Sequence, residues 1–91
     1  MSKKKYYFVE CSDWSLFISA QDVMSAAAKS LSKMLQARGA KLNLSYTMII
    51  QQIKPVKKEI EFLYVPKVLL EIGEDELAQT LDEMCQNSSQ E

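Results

Sequence analysis

The side chains available for chemistry are lysines, carboxylates, tyrosines and two cysteines, because the chain contains no histidine. Histidine is the commonest general base and metal ligand, so neither a Ser-His-Asp nor a Cys-His arrangement can form within the chain. Glycoside-type catalysis needs two carboxylates positioned in a cleft. Here the acids crowd at Glu74, Asp75 and Glu76 and at the alternating positions Glu59 and Glu61, a pattern of solvated surface. The 74–76 run lacks the spaced oxygen ligands and the glycine of a calcium loop. Its place ahead of Leu77, Leu81 and Met84 suits a helix start, where the macrodipole favours negative charge. Cys11 and Cys85 belong to no CxxC pair, which gives no sign of zinc or dithiol chemistry. Both read as packing thiols, reduced in a cytoplasmic protein, with a disulfide between them as the alternative. Gly39 and Gly73 stand alone, so there is no glycine-rich phosphate loop. The expectation is a non-enzyme that uses no metal and no cofactor.

Two sets of residues remain that could bind a macromolecule. Lys3, Lys4 and Lys5 beside Tyr6 and Tyr7, with Lys54, Lys57 and Lys58, form a basic set interleaved with aromatics, as nucleic-acid surfaces are. Against that stand a single arginine, Arg38, and a sequence pI of about 5.5, far from a basic domain's value. The second set is apolar. Tyr6, Phe8, Phe17 and Ile49 fall on strand positions opposite to those that should face a helix, so the sheet is expected to be hydrophobic on both sides. The C-terminal helix is expected to cover that second side, because Leu77, Leu81 and Met84 need a surface to bury against; the alternative is that another subunit or protein covers it.

These residues are positioned by a simple order of elements. Tyr6 to Cys11 is aromatic and branched and reads as a strand. Ser12-Asp13 forms a tight turn, and Trp14 to Ser19 alternates so that Trp14, Leu16 and Ile18 share a face, completing a hairpin. Ser19 with Asp22 resembles a capping box at the start of a helix. Val23, Ala27, Leu31, Met34 and Leu35 keep helical spacing, and Arg38 then Gly39 suit the last turn and the residue after it. Leu44 to Ile53 reads as a strand with Tyr46 and Met48 toward the helix. Lys54 to Lys58 is a basic loop, and Glu59 to Val65 is a further strand ended by Pro66. Val68 to Ile72 forms a short helical turn stopped by Gly73, and a C-terminal helix runs to about Gln86. Met1 to Lys4 and Asn87 to Glu91 are expected to fray.

The fold class is therefore α+β in the order ββαββα: a four-stranded, mainly antiparallel sheet with a long helix packed on one face and a C-terminal helix. A chain of 91 residues has room for one hydrophobic core, so a single domain over 1–91 is expected. No run approaches the roughly 18 apolar residues of a membrane span. Charge is segregated along the chain. Residues 1–58 carry ten basic against three acidic side chains, net +7, and residues 59–91 carry Lys67 against nine acids, net −8. Such polarity can be matched within one chain or between neighbouring copies.

The opening hairpin and helix, Tyr6 to Leu35, resemble in outline the small HicB-type antitoxin domain, which neutralises an RNA-cleaving toxin. The chain departs from that pattern in lacking a proline- and glycine-containing segment between hairpin and helix. Its short, lysine-started, histidine-free composition is also similar to that of many small phage proteins, which would place it in a host cytoplasm or a virion. The functional expectation is a non-catalytic protein-interaction or assembly module that self-associates through its sheet at Tyr6, Phe8, Phe17 and Ile49. The alternative is a nucleic-acid-binding or antitoxin-like regulator using Lys3, Lys4, Lys5, Lys54, Lys57 and Lys58.

Overall fold

Aromatic and branched residues alternating after Lys4 build the first hairpin: β1 spans Lys5–Cys11 and β2 spans Trp14–Ala20, paired antiparallel from Lys5↔Ala20 to Cys11↔Trp14. The computed structural model describes residues 4–89. Ser12 turns the chain in the left-handed region, φ 54°, which a small polar residue tolerates better than a branched one. The chain continues through α1 (Val23–Arg38), a 3₁₀ turn (Gly39–Lys41), β3 (Thr47–Lys54), β4 (Val56–Tyr64), α2 (Val65–Glu71) and α3 (Asp75–Ser89). All strand pairs are antiparallel and the sheet order is β2-β1-β3-β4.

One face of this sheet carries the core. Tyr7, Val9 and Cys11 from β1, Trp14 from β2, and Met48 and Ile50 from β3 are buried with Ala26, Ala27 and Leu31 of α1 and Val65, Val68 and Leu69 of α2. Trp14, Leu31 and Tyr46 share this interior, Tyr46 as a half-buried neighbour. Its polar groups are satisfied: Trp14 Nε1 donates to the Asn43 carbonyl at 2.9 Å, Ser30 Oγ to Ala26 O at 2.7 Å, and Gln52 Nε2 to Pro55 O at 2.6 Å. Cys11 is buried and Cys85 half-buried, and both are free thiols.

Several boundaries differ from expectation for identifiable reasons. Ser19 is not the helix cap, because it stays in the ladder opposite Tyr6; Asp22 caps instead, accepting the Ser25 amide at 2.7 Å. The strand expected from Leu44 begins at Thr47. Leu44 and Tyr46 pack on the core from the connection before it, and the Tyr46 carbonyl accepts the Val65 amide at 2.8 Å. β4 starts at Val56 rather than Glu59, since the expected basic loop contracts to a turn at Pro55 after a cis Lys54–Pro55 bond. Pro66 sits in the first turn of α2 as its fixed φ allows. That helix begins at Val65, three residues ahead of the expected turn. α3 continues past the expected end at Gln86 to Ser89.

Candidate functional site

Side chains alternate across a pleated strand, so the residues between the buried ones stand on the second face of the sheet. Register then sorts them into rows. Phe17, Phe8, Gln51 and Ile60 form one row across all four strands, and Ser15, Glu10, Ile49 and Phe62 form the next. Beyond the first row, toward the β3–β4 turn, lie Ser19, Tyr6 and Lys54. The Phe8 and Phe17 rings pack with centroids 5.1 Å apart, tilted by 51°. Lys54 Nζ lies 5.9 Å from the Tyr6 ring centroid, within cation–π range. Gln51 Nε2 donates to the Lys57 carbonyl at 3.0 Å, which ties the middle of the face to β4.

The four apolar residues expected to form an interface, Tyr6, Phe8, Phe17 and Ile49, thus share one face, and β4 adds Ile60 and Phe62. This face is open. Phe17 is 70% exposed, Phe62 64%, Ile60 47% and Tyr6 40%. The expectation that the C-terminal helix covers it is not met: α3 packs on α2 and reaches the sheet at its margin, where Tyr64 Oη donates to Asp82 Oδ1 at 2.6 Å. Ile60 and Phe62 escaped sequence reading because alternation alone does not say which side of β4 turns inward. The usual tell, charge on the outer side, is reversed there. Glu61 pairs with buried Ile50 yet is itself exposed, because β4 runs past the cover of the helices.

The basic residues also converge in part. Lys4 and Lys5 at the start of β1 lie beside the β3–β4 turn with Lys54, Lys57 and Lys58, all at one end of the sheet; Lys3 lies outside the described residues. Acids are mixed among them. A shallow groove of about 550 Å³ is lined by Val23, Lys57, Lys58, Glu59 and Glu61, and the Asp22 carboxyl, lowered first by its hydrogen bonds with Ser25, is lowered a little further by the Lys5 charge. Arg38 is at the opposite end, 3.9 Å from Asp13, the single ion pair among the described residues.

A second, smaller concavity of about 450 Å³ lies between α2 and α3, with Tyr64, Pro66, Leu70 and Ala78 flanked by Asp75 and Asp82. Asp82 accepts from Tyr64 and from Gln86 Nε2 at 2.9 Å. The Tyr64 hydroxyl is pushed well above its ordinary range, first by that bond to Asp82 and then by desolvation. Among the described residues no three His, Cys, Asp or Glu side chains converge as metal ligands, and no helix is long and apolar enough to cross a membrane.

The fold and face define a class: an antiparallel α+β sheet backed by helices on one side and apolar on the other. Comparison of the chain with protein-family models, with curated proteins and with solved structures finds no match.

Proposed function

We propose that this chain is a non-catalytic assembly module whose open sheet face is its binding surface. The observation that carries this reading is the exposure of Phe17, Phe62, Ile60 and Tyr6 on one face, contiguous with half-buried Phe8 and Ile49. Four strands about 4.8 Å apart and about seven residues long at 3.3 Å per residue span roughly 450 Å² in projection. Six apolar side chains on a face of that size, Tyr6, Phe8, Phe17, Ile49, Ile60 and Phe62, make a patch on the scale of functional contact surfaces rather than of scattered surface residues. Fully burying a phenylalanine contributes about 1.5–3 kcal/mol. Phe17→Ser and Phe62→Ser should therefore each weaken association by about tenfold or more, with little change in the melting of the isolated chain. Sedimentation velocity over a concentration series tests this. A native protein that stays monomeric throughout, and sediments like its Phe17→Ser variant, overturns the reading.

A second reading rests on the gathering of Lys4, Lys5, Lys54, Lys57 and Lys58 beside Tyr6. It makes the chain a nucleic-acid-binding, antitoxin-like regulator. Binding would then fall steeply with salt. A flat low-salt titration with single- and double-stranded DNA and RNA removes it.

A further inference from the structure

The charges on the open face form a self-matching pattern. Glu10 stands in the row of Ser15, Ile49 and Phe62, and Lys54 stands in the row of Tyr6 and Ser19. Between them runs the uncharged row of Phe17, Phe8, Gln51 and Ile60. Tyr6 and Glu10 are four residues apart on β1, about 13 Å, so the acid and the base lie at opposite ends of one apolar strip. Both are exposed.

We infer that the occupant of this face is a second copy of the chain, docked sheet to sheet about a twofold axis perpendicular to the strands, with Glu10 of each copy against Lys54 of the other. The inference rests on the assembly reading above and specifies its partner. A twofold contact must be self-complementary, each residue meeting its mate in both directions. Rotation about an axis through the Phe8 row lays β1 on β1 with reversed direction and brings the Glu10 row over the Tyr6–Lys54 row. The Phe8, Phe17 and Ile60 side chains then fill the roughly 10 Å between packed sheets. The other face-to-face twofold, with its axis along the strands, brings Glu10 toward Glu10 and Lys54 toward Lys54. Like charges so placed oppose docking.

Two projected faces of roughly 450 Å² each, enlarged by the relief of their side chains, fall at the low end of specific interfaces, so a micromolar dimer is expected. The β4 edge is no competing site for a strand, because Lys57, Lys58, Glu59 and Glu61 lie along it, a pattern that discourages edge pairing.

Sedimentation equilibrium on charge-exchanged variants of the full chain tests the arrangement. Glu10→Lys and Lys54→Glu should each weaken dimerisation about five- to tenfold, since each creates two like-charge contacts. The double variant should return to within about twofold of native, and an equimolar mixture of the two single variants should form a heterodimer as tight as native. Loss of the contact between Lys54 and Tyr6 within one copy cannot produce that rescue. Single variants that dimerise as native does, or a double variant as weak as the singles, overturn the orientation while the Phe17 and Phe62 variants still report on the face. A native chain that never dimerises overturns both.

Discussion

Asp22 shows how one residue can be visible in a sequence yet misassigned. Ser19 and Asp22 have the spacing of a reciprocal cap, but Ser19 and Ala20 pair with Tyr6 and Lys5, so the ladder takes the serine and the helix start moves to Asp22. The backbone hydrogen bond from Ser25 holds the Asp22 carboxyl below its usual value. A depressed folded value means that the contribution is present at neutral pH, above the unfolded value, and is lost as pH falls through the folded one. Asp22→Ala should thus lower the melting midpoint by about 4 °C at pH 7, and the gap between variant and native should close in strong acid. Tyr64 behaves oppositely. Its hydrogen bond to Asp82 raises the hydroxyl above 10.0, so its contribution is intact below that pH and is lost as pH rises through the raised value. Tyr64→Phe should flatten the alkaline limb of the stability curve, with one late-ionising phenol missing from the phenolate absorbance titration. Tyr7, raised by burial and then by the Asp22 charge, remains as the internal reference.

At the scale of elements, α1 was legible despite the misplaced cap because three signals agreed: apolar spacing, three alanines, and Gly39 after the last turn, which takes φ 56°. The alanines do distinct things. Ala26 and Ala27 are fully buried while Ala28 is half-buried, so the first two set how closely the helix lies on its neighbours. Ala27→Leu should destabilise the fold by about 1–3 kcal/mol through overpacking, read as a lower urea midpoint with an unchanged slope, and Ala28→Leu by less. The placement of α3 was not legible. Its stripe of Leu77, Leu81, Met84 and Cys85 needs an apolar surface, and the second sheet face was the only one visible in sequence. α2 supplies another. Starting at Val65, it places Val68 and Leu69 in the core and packs on both α1 and α3. Ala78 and Leu81 become buried, and Met84 remains 53% exposed. Strand alternation separated the faces of β1, β2 and β3 correctly, but which face stays bare depends on where the last helix docks, a long-range choice with no local signature.

For the whole molecule, no close ion pair among the described residues joins the basic and acidic parts of the chain, since Arg38–Asp13 lies within the first of them. The Cα radius of gyration, 13.5 Å, exceeds the roughly 12 Å of a compact chain of this length, in keeping with a β3–β4 hairpin that runs past the helices. Its lysines invite an electrostatic account of binding and its bare face an apolar one, and salt separates the two. A nucleic acid held by five lysines would lose roughly two to three orders of magnitude in affinity as sodium chloride rises about fourfold. A dimer held by buried phenylalanines and two rim pairs of Glu10 with Lys54 depends on charge only through exposed contacts, each contributing under about 1 kcal/mol and screened over about 10 Å at 0.1 M salt. Its dissociation constant should therefore rise only about three- to fivefold over the same change of sodium chloride. Sodium sulfate, which is excluded from protein surface and strengthens apolar burial, should reverse that loss at equal ionic strength. Sedimentation equilibrium in the two salts measures both effects, and a steep loss in chloride without recovery in sulfate would assign the association to the lysine end instead of the sheet face.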